Sequence, residues 1–193
     1  MDNKIGIFGV INEDVDTSLN EKIIARKKEY KKYIDDHVKH VIIAYNNLIS
    51  NEWINNPRNV EFKKVLKELR EKIKNHDASK YSDEEFEAYR AKFYPVDREN
   101  QDYVDENFEE AMKHHYANND HHPEHWIDEN GNPTDMPLIC ILELICDWEA
   151  MSKVGDSSAD FWKKTKETRW KNIMTAKTID TIDKLMKVLY YKD

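Results

Sequence analysis

All eight histidines of the chain fall between positions 37 and 125, in small groups separated by long intervals. His37 and His40 come first, His76 stands directly before Asp77, His114 and His115 are adjacent, and His121, His122 and His125 follow within a few residues. Imidazole and carboxylate are the ligands that suit Mn, Fe, Co, Ni or Zn, and a site built between helices draws such groups from distant parts of a chain. The competing reading is that scattered imidazoles pair with the abundant carboxylates of a chain that holds 38 acidic residues. Asp147 favours the metal reading. It stands in ELICDWEA, with Leu144, Ile145, Trp148 and Met151 around it. An isolated ionised carboxylate in such surroundings costs several kcal/mol unless a cation or donor compensates it. A Lys or Arg partner would serve as well as a metal. Glu143, one turn earlier, reads as a structural pairing partner. No G-x-x-x-x-G-K-[ST], G-x-S-x-G or C-x-x-C occurs, which removes the P-loop, serine-hydrolase and zinc-ribbon chemistries.

Helices must position these groups. Four Gly and five Pro in 193 residues leave few sites for tight hairpins, whereas 11% aromatic residues supply a core. The expected fold is all-α, in one domain over 1–193. Residues 1–16, including the apolar run IGIFGVI, form a short N-terminal arm or strand, about 30–155 carry the site, and 156–193 add C-terminal helices. Ser18 and Glu21 read as a capping box opening one or two helices to Ser50. NEWINNPRN breaks the pattern, and Val60 to Ile73 marks an amphipathic helix ending near Asn75 to Ala78. Ser82 and Glu85 read as a second capping box, for a short helix through Phe93. A fourth helix spans Val104 to Ala117, with Phe108, Ala111, Met112 and His115 on one face. The segment NNDHHPEHWIDENGNPTDMP reads as a long irregular loop, a length that itself points to function. Leu138 to Val154 is the most buried helix, followed by amphipathic helices over Ala159–Lys171 and Thr178–Tyr191.

The net charge of −8 argues against a nucleic-acid polymer as partner, while a small anionic substrate is compatible if a metal supplies local positive charge. Cys140 and Cys146 read as buried, reduced thiols, in keeping with a cytoplasmic protein. No run approaches the roughly 20 apolar residues that cross a bilayer, and the first residues lack signal-peptide features. No membrane partner is expected, and a homo-oligomer is left open.

A helical His followed by an apolar residue four positions on (His37, Val41), an adjacent His76–Asp77 pair and a distant Asp147 on a buried helix resemble the HD-domain superfamily of metal-dependent phosphohydrolases. The run HDAS at 76–79 is similar to that of its 5′-deoxynucleotidase branch. The set HDASK, HHYANNDHHPEHW and ICDWEAM resembles still more a family of small bacterial and phage proteins of uncharacterised function. The resemblance implies an HD-like helical bundle and one divalent ion held by His37, His76, Asp77 and Asp147, with His40 the rival for the first position. If further histidines reach the site, it implies a second ion bridged by Asp77. His115 and His122 are then the first choices, and His114 and His121 the alternates. One departure matters: Lys80 stands where that branch carries an acid. Asp77 and Lys80 are the expected catalytic residues, Lys80 as a point charge for a substrate phosphate.

The implied reaction is hydrolysis of a nucleotide or another small phosphate ester by a metal-activated water. Trp126, Tyr116 and Trp148 are either a stacking face for a base or part of the core. Two other classes compete: a di-iron oxygenase, as in relatives of the superfamily that resemble myo-inositol oxygenase, and a non-catalytic helical module with a structural metal.

Overall fold

A computed structural model describes residues 13–56, 60–97, 99–152 and 157–190. Seven α-helices order the described residues: α1 (Glu13–Ser50), α2 (Val60–Lys74), α3 (Phe86–Phe93), α4 (Gln101–Asn118), α5 (Leu138–Met151), α6 (Ser158–Thr165) and α7 (Ala176–Tyr190). Short 3-10 turns cover Ala78–Tyr81, Pro123–Trp126 and Trp170–Asn172. The bundle is all-α: the one β-type pairing among the described residues is the isolated bridge between Ile127 and Pro133. No helix among them is long and apolar enough to cross a membrane. The expected arm lies outside the described residues for 1–12.

Helix α1 is a single element of 38 residues. Tyr30, Ile34, His37, Val41, Ala44 and Leu48 form its buried stripe, at alternating intervals of four and three that keep one face toward the core, and Tyr45 widens it. Ser18 and Glu21 do not open it. The helix already runs through Glu13, so the donors a cap would serve have intrahelical acceptors. Helix α5 packs across α1 and α2 and is buried on nearly every side, from Cys140 through Cys146 and again at Trp148 and Ala150. Met151 corrects the expected surroundings of Asp147: it closes the helix and is exposed. The expected helix over Ala159–Lys171 is also shorter. It stops at Thr165, whose hydroxyl donates to the Phe161 carbonyl (2.7 Å) and accepts from Trp170 Nε1 (2.7 Å), turning the Trp170 ring into the core.

Two apolar clusters result. The larger gathers α1 beyond Val41, α2, α5, α6 and α7, with Trp148, Trp162 and Trp170 packed ring to ring. The smaller joins Tyr30 and Ile34 of α1 to Tyr89 of α3 and Ala111 of α4. His37 sits on α1 between Ile34 of one cluster and Val41 of the other, and His115 follows Ala111 by one turn. The buried histidines of the chain therefore collect along the seam between two cores.

Candidate metal centre

Two helix ends, two helix faces and one connecting segment deliver the seam residues, His37 coming from the face of α1. His76 and Asp77 follow the end of α2, where Asp77 adopts a left-handed conformation (φ 56°), unique among the described non-glycine residues. Asp tolerates this region better than most side chains, and such strain, of order 1–3 kcal/mol, collects at functional sites. It reverses the chain into the Ala78–Tyr81 turn while His76 and Asp77 both stay buried. From α5 come Glu143 and Asp147, four residues apart and hence on one face. His115 comes from the last turn of α4, and His121 and His122 from the segment after it.

That segment is a loop, as expected, but a braced one around the Pro123–Trp126 turn. Trp126 Nε1 donates to the Asp120 carbonyl (2.7 Å), and Thr134 N donates to the Trp126 carbonyl (2.7 Å). Asp128 Oδ1 accepts from the backbone of Asn130 and Asn132, closing a turn at Gly131 (φ 81°). His121 and His122 are thus carried by a braced connection.

Asp77 is the hub. Its Oδ2 lies 3.7 Å from His37 Nε2 and 3.6 Å from His76 Nε2, while Oδ1 lies 3.4 Å from His115 Nε2 and 3.6 Å from His121 Nε2. Asp147 Oδ1 completes the first side, 3.1 Å from His37 Nε2 and 3.7 Å from His76 Nε2. On the second side His122 Nε2 lies 2.9 Å from His115 Nε2, a contact that needs a proton on one ring or a cation beside both. Three ligand groups have spacings that suit a metal ion: His37, His76 and Asp147; Asp77, His121 and His122; and His76, His121 and Glu143. The donor set also shows what is missing around it. His76 Nε2, Asp77 Oδ1 and His121 Nε2 are buried without a hydrogen-bond partner, a costly state that a cation among them would relieve. All three belong to the cluster, so the residues fit one or two divalent ions.

Outer carboxylates orient the imidazoles. His76 Nδ1 donates to Glu143 Oε1 (3.1 Å), and His115 Nδ1 donates to Glu85 Oε2 (2.8 Å). Each bond turns the ring's Nε2 toward Asp77, the usual arrangement behind a metal-ligating histidine. Glu85 was expected to cap α3. It makes no cap bond; fully buried, it also accepts from His114 Nδ1 (2.8 Å), so its role belongs to the centre. Sequence spacing carries no signal for this, because a capping Glu and a histidine-holding Glu look alike. Glu143 does pair, as expected, with Lys72 Nζ (3.3 Å), and its bond to His76 is the part the spacing did not show.

The charges divide the centre. Burial pushes the His76 imidazole down, but Asp77, Asp147 and Glu143 outweigh it and lift it to about 10. Burial with neighbouring histidines holds His121 well below its ordinary value and His122 at about 4. For Asp77, burial opposes ionisation, yet His76, Lys80, His121 and His115 hold the carboxyl below the usual range. Asp147 is likewise held down, by His37 and His76, against its own burial. Lys80 Nζ donates to Asp77 Oδ2 (2.6 Å), placing the expected phosphate-binding cation at the edge of the centre.

Five histidines therefore meet at Asp77 or Asp147: His37, His76, His115, His121 and His122. His40 is half-buried and takes part in none of these contacts, and His114 touches the outer Glu85 and Asn118 without reaching Asp77 or Asp147. His125 is exposed and donates through Nδ1 to the Tyr116 carbonyl. The stacking face fails in part: Trp148 is core, and Trp126 packs against the same core, whereas Tyr116 lies beside His122 (5.2 Å between ring centres).

A family model matches residues 26–190, a span that contains every residue of the cluster. The chain belongs to DUF5662, a family of unknown function. No curated protein matches this DUF5662 chain. No solved structure matches it either.

Proposed function

We propose that this DUF5662 protein is a metal-dependent phosphohydrolase of HD-domain type, acting on a nucleotide or another small phosphate ester, with the centre carried by residues 30–155 of one domain. The observation that carries the reading is the division of the Asp77 carboxylate, one oxygen toward His37 and His76 and the other toward His115 and His121. His37, His76, Asp77 and Asp147 would hold one ion, and Asp77, His115, His121 and His122 the second. The donors are nitrogen and oxygen only, a set suited to Mn, Fe, Co, Ni or Zn. Such an ion lowers the pKa of a bound water to about 7 and polarises a phosphoryl oxygen.

The chain's own residues do the rest. Glu143 and Glu85 keep the imidazole lone pairs aimed inward, and the apolar clusters on both sides exclude bulk water, which strengthens each charge interaction. Lys80, held by Asp77, offers a cation to the anionic ester at the rim.

The test is elemental analysis of protein purified without added metal, followed by a screen of the Mn, Fe, Co, Ni and Zn forms for phosphate release from nucleotides and simple phosphoesters. Release abolished both by chelator and by Asp77→Ala is the expected result. Dioxygen consumption by the iron form, with no phosphate released by any form, moves the centre to the oxygenase class. A tightly held ion without turnover of either kind leaves a structural metal.

A further inference from the structure

A cavity of about 370 Å³ opens beside Lys80, lined by Tyr30, Tyr33, Lys80, Tyr89, Phe93 and Tyr94. We infer that this cavity receives the organic group of the ester, and that the group is a single planar ring system. The inference rests on the phosphohydrolase reading for the position of the phosphate, and on the cavity itself for the ring.

Position comes first. Lys80 is shared between the cavity and the centre, its Nζ bonded to Asp77 Oδ2 (2.6 Å) and standing 5.8 Å from the centre of the Tyr89 ring. On the other side the Tyr33 ring lies nearly parallel to the His37 imidazole, at 10° and 6.3 Å. An ester whose phosphate meets the centre at Lys80 thus has its remaining group against Tyr33 and Tyr89.

The lining then selects the group. Five of its six side chains are aromatic and none is a carboxylate. Aromatic cages also suit organic cations, but here the Lys80 ammonium repels them. An aliphatic chain would be served equally well by Leu or Ile, whereas ring faces add stacking energy for another ring. The volume lies near the lower end for small-molecule pockets, which suits one ring system rather than a polymer.

The test is calorimetric titration of both the metal-loaded and the chelated protein with phenylphosphonate, methylphosphonate and adenosine monophosphate. Phenylphosphonate is expected to bind about tenfold more tightly than methylphosphonate, the scale of one stacked ring. Tyr89→Leu and Tyr33→Leu should reduce that ratio to below about threefold by weakening phenylphosphonate more than methylphosphonate; Tyr33 is partly exposed, so its replacement opens no core. Adenosine monophosphate, which carries a larger ring system, should bind at least as tightly as phenylphosphonate. Equal binding of the two phosphonates in both forms, or no binding of either, overturns the inference. Ring preference with no phosphate release in any metal form removes the hydrolase reading and keeps the cavity. Phosphate release without ring preference does the reverse.

Discussion

On one side of Asp77 two imidazoles, His37 and His76, face the carboxylates of Asp77, Asp147 and Glu143. On the other, His115, His121 and His122 gather at the second Asp77 oxygen, with Glu85 behind His115 and Glu143 Oε1 3.6 Å from His121 Nδ1. The first side is rich in negative charge and keeps a proton on His76, whose pKa rises to about 10. The second has too little, and His121 and His122 stay neutral. The same ligand types thus make two different receptors. A cation entering the first side displaces a proton and meets two anionic ligands, while one entering the second meets neutral nitrogen donors and a shared oxygen. The carboxylate-rich side is expected to hold the tighter ion.

Removing the shared residue should have the largest effect. Asp77→Ala is expected to lose both ions and to destabilise the metal-free fold by about 3 kcal/mol, because the buried His76 and Lys80 cations lose their partner. Metal content and urea unfolding measure this; a variant with wild-type values in both would discard the centre. Next come the variants that separate the sides. Asp147→Asn should lower metal content through the tight site, and His122→Ala through the weak one alone. If each empties both, the two sides act as one site.

Smaller effects should come from the orienting carboxylates. Glu85→Gln is expected to weaken metal binding on the second side by about 10–100-fold, and Glu143→Gln mainly on the first, where it holds His76, with a smaller loss through His121, read by competition with a chromogenic chelator. Equal losses on both sides from Glu85→Gln would contradict the division.

The pH dependence of the chelated protein sharpens the charge contrast. The His76 pKa is raised from 6.5 to about 10, so its stabilisation is complete below about 6.5 and is lost as pH rises through 10. The His122 pKa is lowered to about 4, so its contribution is present above 6.5 and is lost as pH falls toward 4. Stability should therefore peak between these limits. Glu143→Gln should flatten the alkaline arm and His122→Ala the acid arm, as read from unfolding midpoints across pH; arms unchanged in both variants would refute the contrast. The smallest effect belongs to His40→Ala, expected within about 0.5 kcal/mol and without loss of metal. His37→Ala should lose the tight ion, and the reverse order would exchange the two residues.

Helical periodicity, scarce Gly and Pro, and the apolar run around Asp147 already specified an all-α bundle with α5 at its centre, because the spacing of apolar side chains is a local property of the chain. The clustering of histidines, the His76–Asp77 pair and Asp147 were legible for the same reason: their types are written in the sequence. What only the tertiary structure decided was which groups meet and which way they face. His37 rather than His40 reaches Asp147, because a shift of three residues moves a side chain from the seam between two cores to their flank. Both His121 and His122 reach the centre because Asp128, Trp126 and Thr134 brace a segment that reads as loop. Glu85 serves His114 and His115 instead of a helix end, since a buried imidazole 30 residues away competes for its oxygens against a backbone donor that water can also satisfy. Residue type and period are encoded along the chain, but a ligand set and its charge balance depend on distances between segments that only packing brings together.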